Sequence, residues 1–224
     1  MNILLLGPPG AGKGTQGERL ADRLGLRKIA TGDVLRAAVK DGTAMGREAK
    51  GFMDRGELVP DEVILGIMKE ALAEPSSARG VILDGVVRTV PQAEGLERVL
   101  SELGRRLDVV LLFDVDEEEL VSRLSSRTIC ESCQTPYSGR PPGERCEKCG
   151  GRLVRRKDDE PNAVRTRMRA YREQTEPVVQ WYRKREDGKG GRPAGARILP
   201  VNAAGPVDEI TDRVLRDLEP AGDR

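Results

Sequence analysis

Nine residues constrain this chain more than any others: Gly7-Pro8-Pro9-Gly10-Ala11-Gly12-Lys13-Gly14-Thr15. The apolar run Asn2–Leu6 before them has the composition of a buried strand. Gly14–Leu24 after them carries Leu and Ala at helical spacing. A glycine-rich bend between a buried strand and a helix is the setting of a phosphate loop. Its glycines let successive backbone N–H groups curl around one anion, and the helix N-terminus adds partial positive charge. Lys13 is long enough to reach outer phosphates. The general pattern places Ser or Thr directly after the lysine; here Gly14 stands before Thr15. A turn that only feeds a helix is the bland alternative, and it does not explain why motif and flanking elements agree.

The strand-then-helix alternation continues along the chain. Val81–Leu83, Val109–Val115 and Arg197–Val201 are further buried-strand candidates, with Lys28–Ala30 a shorter one. Asp61–Ala73, Pro91–Leu103, Glu117–Ser125 and Val207–Leu218 have helical periodicity, and Pro161–Arg185 predicts one continuous helix. Pro91 suits a first helical turn, where its missing N–H costs nothing. Glu186–Ala196, with five glycines or prolines, predicts a mobile surface loop. Alternation of this kind predicts a mostly parallel sheet covered on both faces. Two stretches break it. Residues 31–60 are helical without a strand of their own, and 126–159 hold all the cysteines, much Pro and Gly and few apolar side chains.

Composition removes whole classes of chemistry. The 224 residues suit one core with small insertions. With 38 basic against 37 acidic residues, a net charge of +1 and 3% aromatics, the chain lacks the basic excess of a nucleic-acid binder. No apolar run approaches a membrane span, and Ile3-Leu4-Leu5-Leu6 is too short for a secretory signal. The expectation is a cytoplasmic monomer with no membrane or nucleic-acid partner. Histidine is absent, which rules out Ser-His-Asp and Cys-His machinery and any His-ligated metal. The cysteines read Cys130-x2-Cys133-x12-Cys146-x2-Cys149. That two-knuckle spacing predicts a tetrahedral zinc site; disulfides are the alternative, opposed by intracellular redox poise. An insert this poor in apolar residues needs such a staple.

Taken together, the motifs resemble the adenylate kinase family. G-P-P-G-A-G-K-G-T is that family's phosphate loop. Thr31-Gly32-Asp33-Val34-Leu35-Arg36, Gly56-Glu57-Leu58-Val59-Pro60-Asp61, Asp84-Gly85-Val86-Val87-Arg88-Thr89 and Gln92 follow in the family's order along nearly the whole chain. The resemblance implies a phosphate-loop NTPase core with a five-stranded parallel sheet in the order 2-3-1-4-5. Residues 1–30, 61–125 and 160–224 would form the core, 31–60 an AMP-binding insert and 126–159 a zinc-stapled lid. It implies transfer of the terminal phosphoryl of ATP to AMP, giving two ADP, with Mg²⁺ accompanying ATP and zinc purely structural.

Site residues carry over one at a time. Lys13, Arg88, Arg123, Arg156 and Arg167 would converge on the phosphates, and Asp84 would hold a water of hydrated Mg²⁺. Gly10, Ala11, Gly12, Gly14 and Thr15 would cradle ATP. Arg127 would contact its base side, Pro136 and Tyr137 would touch it from the lid, and Gly205 would meet the adenine through its backbone. AMP would meet Thr31, Arg36, Glu57, Leu58, Val59, Gly85, Val86 and Val87, with Gln92 reading the adenine edge and Arg88, Arg156 and Arg167 on the phosphate. Asp158 and Asp159 would pair with arginines on lid closure, or else remain a solvated charge run.

The chain departs from the family pattern in places. Val86-Val87 stands where Phe-Pro is usual, which predicts a trans bond there, since a non-proline cis bond costs about 2.5–4 kcal/mol. Thr128 replaces a basic residue, and Gln134 and Ala203 replace glycines. Three alternatives stay open: a kinase for another nucleotide, a zinc-ribbon nucleic-acid binder with a phosphate loop, and a catalytically impaired member.

Overall fold

All five residues of the first strand, β1 (Asn2–Leu6), are buried, as expected of an apolar run with neighbours on both edges and both faces. The computed structural model describes residues 1–186 and 195–219. After β1 come α1 (Lys13–Leu24), β2 (Arg27–Ala30), α2 (Thr31–Lys40), α3 (Ala44–Arg55), α4 (Asp61–Ala73), β3 (Val81–Asp84), α5 (Val90–Glu102), β4 (Val109–Asp114) and α6 (Glu117–Ser126). The remainder is β5 (Arg127–Cys130), β6 (Pro136–Ser138), β7 (Leu153–Val154), α7 (Pro161–Ala170), a π segment (Tyr171–Thr175), α8 (Glu176–Glu186), β8 (Arg197–Asn202) and α9 (Val207–Leu218). Most of the loop expected at Glu186–Ala196 lies outside the described residues.

The central sheet is parallel with strand order β2-β3-β1-β4-β8, the expected 2-3-1-4-5 arrangement with β8 as the fifth core strand. Register places Leu4 between Leu83 and Val110. Alternate side chains of β1 enter two cores, one on each face. Leu4 and Leu6 join Met68, Leu72, Leu96, Leu100, Val178 and Tyr182. Ile3 and Leu5 join Leu20, Leu120, Leu124, Met168, Ile210 and Val214. Each core side chain contributes about 1.5–3 kcal/mol of burial. Parallel strands end on one side, so Leu6, Ala30, Asp84, Asp114 and Asn202 share one rim of the sheet.

The expected single helix at Pro161–Arg185 is instead two α-helices joined by the π segment, where the Glu176 N–H bonds the Tyr171 carbonyl. The two halves serve different cores. Val164 and Met168 of α7 pack on one face of the sheet, Val178, Val179 and Tyr182 of α8 on the other. One inserted residue turns everything beyond it by about 100°, which redirects the apolar stripe.

Residues 31–60 form α2, α3 and a loop that share a small cluster with α4: Leu35, Ala49, Val59, Ile64 and Ile67. A Cβ at Gly46 would sit 2.0 Å from the Ala38 carbonyl oxygen, so glycine permits the close crossing of α2 and α3. Residues 126–159 hold an antiparallel sheet, β6-β5-β7, whose cluster is only Cys130, Cys146, Leu153 and half-buried Tyr137. No peptide bond among the described residues is cis, so Val86–Val87 is trans as expected. Both valines are buried, at 0% and 1% exposure.

Candidate active site

The loop after β1 turns as its glycines allow. Gly10 and Gly12 sit at φ 86° and 85°, in the left-handed region, and Gly12 precedes α1 without a side-chain cap. The first amides of α1 therefore face the cleft with no capping side chain. At Gly7 a Cβ would lie 2.7 Å from the Phe113 carbonyl oxygen, so only glycine fits between β1 and β4. Lys13 folds back over the loop: Nζ donates to the Gly7 carbonyl at 2.7 Å and the Pro8 carbonyl at 2.8 Å. Burial pulls its amine down to about 7 against the attraction of Asp84, with Arg88, Arg167 and Arg127 adding to the fall.

Around this loop opens a cleft of about 860 Å³. Its walls include Gly10, Ala11, Gly12, Lys13, Gly14 and Thr15 of the loop, Asp84, the arginines Arg36, Arg88, Arg123, Arg127, Arg156 and Arg167, and Pro136, Tyr137 and Gly205. A second cavity of about 70 Å³ adjoins it, lined by Thr31, Arg36, Glu57, Leu58, Val59, Gly85 and Gln92. Arg36, Arg88, Arg156 and Arg167 line both. Val87 reaches the larger cleft; Val86 lines neither and belongs to the core.

Asp84 ends β3, and its Oδ2 lies 3.4 Å from where a Cβ on Gly14 would stand. Thr31 Oγ1 donates to the Gly85 carbonyl at 2.8 Å, and Arg36 pairs with Asp33 one turn earlier on α2. Burial beside Arg156 lowers the Arg36 pKa.

Asp158 and Asp159 are paired. Arg156 grips Asp158 with Nε at 3.0 Å and Nη2 at 2.9 Å. Arg167 Nη1 donates to Asp159 Oδ1 and to the Asp158 carbonyl, each at 2.9 Å, and Arg127 Nε donates to Asp159 Oδ2 at 2.7 Å. The Asp159 side chain is 3% exposed. Burial pushes the Asp158 carboxyl up, but Arg167, Arg156 and Arg127 outweigh it and hold the group at about 2. Burial also brings Arg167 down to about 10 despite Asp158.

Arg123 and Arg127 face different partners. Arg123 Nη2 donates to the Ala203 carbonyl at 2.8 Å, in the loop that carries Gly205, and pairs with Glu119 one helical turn away. Arg127 lies beyond the end of α6, with Asp159 and within the field of Lys13. Thr128, where the family pattern has a basic residue, is buried and donates to the Arg140 carbonyl at 3.0 Å. Gln134 holds the left-handed conformation at φ 60° that a glycine would take freely.

Gln92 is 1% exposed, and both ends of its amide are engaged. Oε1 accepts from the Arg88 N–H at 2.7 Å, and Nε2 donates to Asp61 Oδ1 at 2.6 Å. Thr89, the N-cap of α5, donates to the same Asp61 carboxylate. Asp61, Thr89 and Thr175 escaped the sequence reading as site-supporting groups. Their contacts span elements distant in the chain, so no local spacing announces them. Lys28 is another: Nζ donates to the Gly14 carbonyl at 3.2 Å at the cleft wall.

The four cysteines are free thiols, and their sulfurs all lie within 4.8 Å of one another. Cys130 and Cys149 sulfurs are 3.4 Å apart, Cys133 and Cys146 sulfurs 3.6 Å. A tetrahedron with metal–sulfur bonds of about 2.3 Å has edges of about 3.8 Å, so the cluster fits a four-thiolate ion. Thr135 supports the thiolate of Cys133, holding it at about 6. The Tyr137 hydroxyl lies 3.2 Å from the Cys146 sulfur and lowers its pKa. Cys149, despite an amide from Gly151, is pushed up to about 12 by hydrogen bonding with Cys133 and Cys130.

The adenylate kinase family pattern matches residues 5–187. The chain belongs to the adenylate kinase family. It is 64% identical over 220 residues to the adenylate kinase of Gemmatimonas aurantiaca, covering 97% of this chain and 99% of that one. The adenylate kinase of Methanosarcina barkeri is 48% identical over 218 residues, 96% of each chain. That of Archaeoglobus fulgidus is 49% identical over 189 residues, 83% of this chain and 87% of its own. Family membership makes the chain a nucleoside monophosphate kinase. Among the described residues, no helix is long and apolar enough to cross a membrane.

Proposed function

We propose that the larger cleft binds ATP, the smaller cavity binds AMP, and the terminal phosphoryl passes directly from ATP to an AMP phosphate oxygen, giving two ADP, while the arginines common to both neutralise the charge on the moving group. One observation carries this assignment: Arg36, Arg88, Arg156 and Arg167 line both cavities at once. Phosphoryl transfer asks little covalent chemistry of a protein. It asks for in-line placement and for cations around the charge spread over the moving group. A wall of guanidinium groups shared by donor and acceptor sites meets both demands, and the planar fork of arginine grips two oxygens at once.

The loop amides and Lys13 hold the donor's phosphates. Lys13 leaves the Gly7 and Pro8 carbonyls for phosphate oxygens, and the anion draws its amine back to the charged state. Asp84, beside the first turn of α1, would hold a water of Mg²⁺ bound with ATP, an ion that would neutralise phosphate charge. Arg127 belongs with the phosphates, in the company of Lys13, Asp159 and Arg167. Arg123 belongs on the base side, next to the Ala203–Gly205 loop. This exchanges the two roles drawn from the resemblance. The Gln92 amide supports Arg88 in the present arrangement, and it must release one of its two partners to read an adenine.

The cysteine cluster suits zinc, with Cys130, Cys133, Cys146 and Cys149 as its ligands. Four thiolates leave no open position, so the ion staples residues 126–159 and takes no part in the chemistry. That segment and 31–60 act as covers over ATP and AMP, excluding water.

The test is ADP formation from ATP, Mg²⁺ and a panel of nucleoside monophosphates. Turnover with AMP is expected, and Arg88→Ala is expected to lower kcat by about a hundredfold or more. Preferential turnover of UMP, CMP or GMP would reassign the smaller cavity.

A further inference from the structure

Arg88 is held by its backbone from two sides. Its N–H donates to Gln92 Oε1 on α5 at 2.7 Å. Its carbonyl accepts from the hydroxyl of Thr175, 87 residues further along, at 2.9 Å. Thr175 closes the π segment, is 5% exposed and lines the ATP cleft.

A threonine within a helix ordinarily turns its hydroxyl onto a carbonyl of its own preceding turn. Thr175 instead reaches across to another element. The π turn rotates the chain at this point, and π turns recur at functional sites. Arg88 has reason to need the tether. The two residues before it are valines, so no proline ring fixes the backbone that leads into it. Its guanidinium lies against Gly85, with Nη2 3.1 Å from where a Cβ on that glycine would be. A small swing of the Arg88 peptide would therefore be transmitted to a group that lines both cavities.

We propose that Thr175 is a positioning residue for Arg88: its hydroxyl, delivered by the π turn, fixes the Arg88 carbonyl and so aims the guanidinium between donor and acceptor. The proposal rests on the assignment of Arg88 to the moving phosphoryl.

A double-mutant cycle on the full-length chain tests it, with kcat, both KM values and melting temperature measured for each variant. Thr175→Val keeps the shape and removes the hydroxyl. Its kcat is expected to fall about ten- to a hundredfold, the scale of a one-ångström misplacement, with KM for ATP unchanged. Thr175→Ser is expected to restore kcat to within about twofold of the parent. In an Arg88→Ala background, adding Thr175→Val is expected to change kcat by less than about twofold, because a shared pathway is already lost. Thr175→Ala gives the same comparison if the valine variant does not fold.

An equal fold-loss from Thr175→Val in both backgrounds overturns the proposal, since the hydroxyl then acts on something other than Arg88. So does a lower melting temperature with an unchanged kcat. If Arg88→Ala cripples turnover while Thr175→Val does not, this inference fails alone. If Arg88→Ala turns over at the parent rate, the assignment of Arg88 fails and takes this inference with it.

Discussion

Lys13 Nζ lies 2.7 Å from the Gly7 carbonyl oxygen, bent back over the glycine-rich loop that precedes it. Burial holds this amine at about 7, well below the usual 10.5, against the attraction of Asp84. The sign follows from the direction. Between about pH 7 and 10.5 the unfolded chain carries a proton on this amine that the folded chain does not, so its contribution to stability rises with pH across that window. An arriving polyphosphate reverses the preference and recharges the amine. At pH 8, ATP binding is expected to take up close to one proton, read by calorimetry in two buffers of different ionisation enthalpy. Lys13→Met should abolish the uptake; a buffer-independent heat for the parent protein would contradict the assignment.

Asp158 has a linkage of the same sign in an acidic window, but there the charged form is the one the fold favours. Burial favours its neutral form, yet Arg167, Arg156 and Arg127 hold it at about 2. Its stabilisation is present above the ordinary carboxylate range and is lost as pH falls through about 2. Asp158→Asn is expected to cost about 2 kcal/mol at neutral pH. The gap from the parent protein should shrink as pH drops from about 4 toward 2. Urea melts across that range supply the check, and a gap that stayed constant with pH would assign the loss to packing.

The cysteine insert depends on its staple because its own apolar cluster is so small: two cysteines, Leu153 and half-buried Tyr137. Removing the metal with a chelator, or one ligand with Cys146→Ser, should abolish bound zinc and destabilise the protein by about 2 kcal/mol or more. For a chain of this size that corresponds to a melting temperature lower by about 4–8 °C. Metal content per chain and a thermal melt measure both. An unchanged melt after complete zinc removal would show that the three-stranded sheet holds without it.

Much of the fold was legible because period and composition act locally. Asn2–Leu6 is apolar at every position after Asn2, and a strand with neighbours on both sides is its physical consequence. The π turn was not legible, because Val164, Met168, Val178 and Tyr182 all fit a helical period; what separates them is which side of the sheet each must fill. Site residues carried on local motifs, such as Lys13 and Arg88, fell at the cleft as expected. Two of the supports around Arg88 did not show, since Asp61 reaches Gln92, and Thr175 reaches Arg88, only through the fold. Gln92, which the resemblance assigns to the adenine edge, lines the smaller cavity, with its amide shared between a backbone N–H and a carboxylate.

Arg123 and Arg127 illustrate the same limit and supply the last prediction. Four residues apart, they would share a face if one helix carried both. α6 ends at Ser126, however, and Arg127 begins a strand, so the two side chains part. Arg123 meets the Ala203 carbonyl, while Arg127 meets Asp159 beside Arg167. A cation on the base side strengthens binding about equally in ground and transition states. One beside the moving phosphoryl acts on the transition state. Arg123→Ala is therefore expected to raise KM for ATP by about tenfold with little change in kcat, and Arg127→Ala to lower kcat by about a hundredfold. Steady-state kinetics with saturating AMP separates them, and the reverse pattern would restore Arg123 to the phosphates and Arg127 to the base.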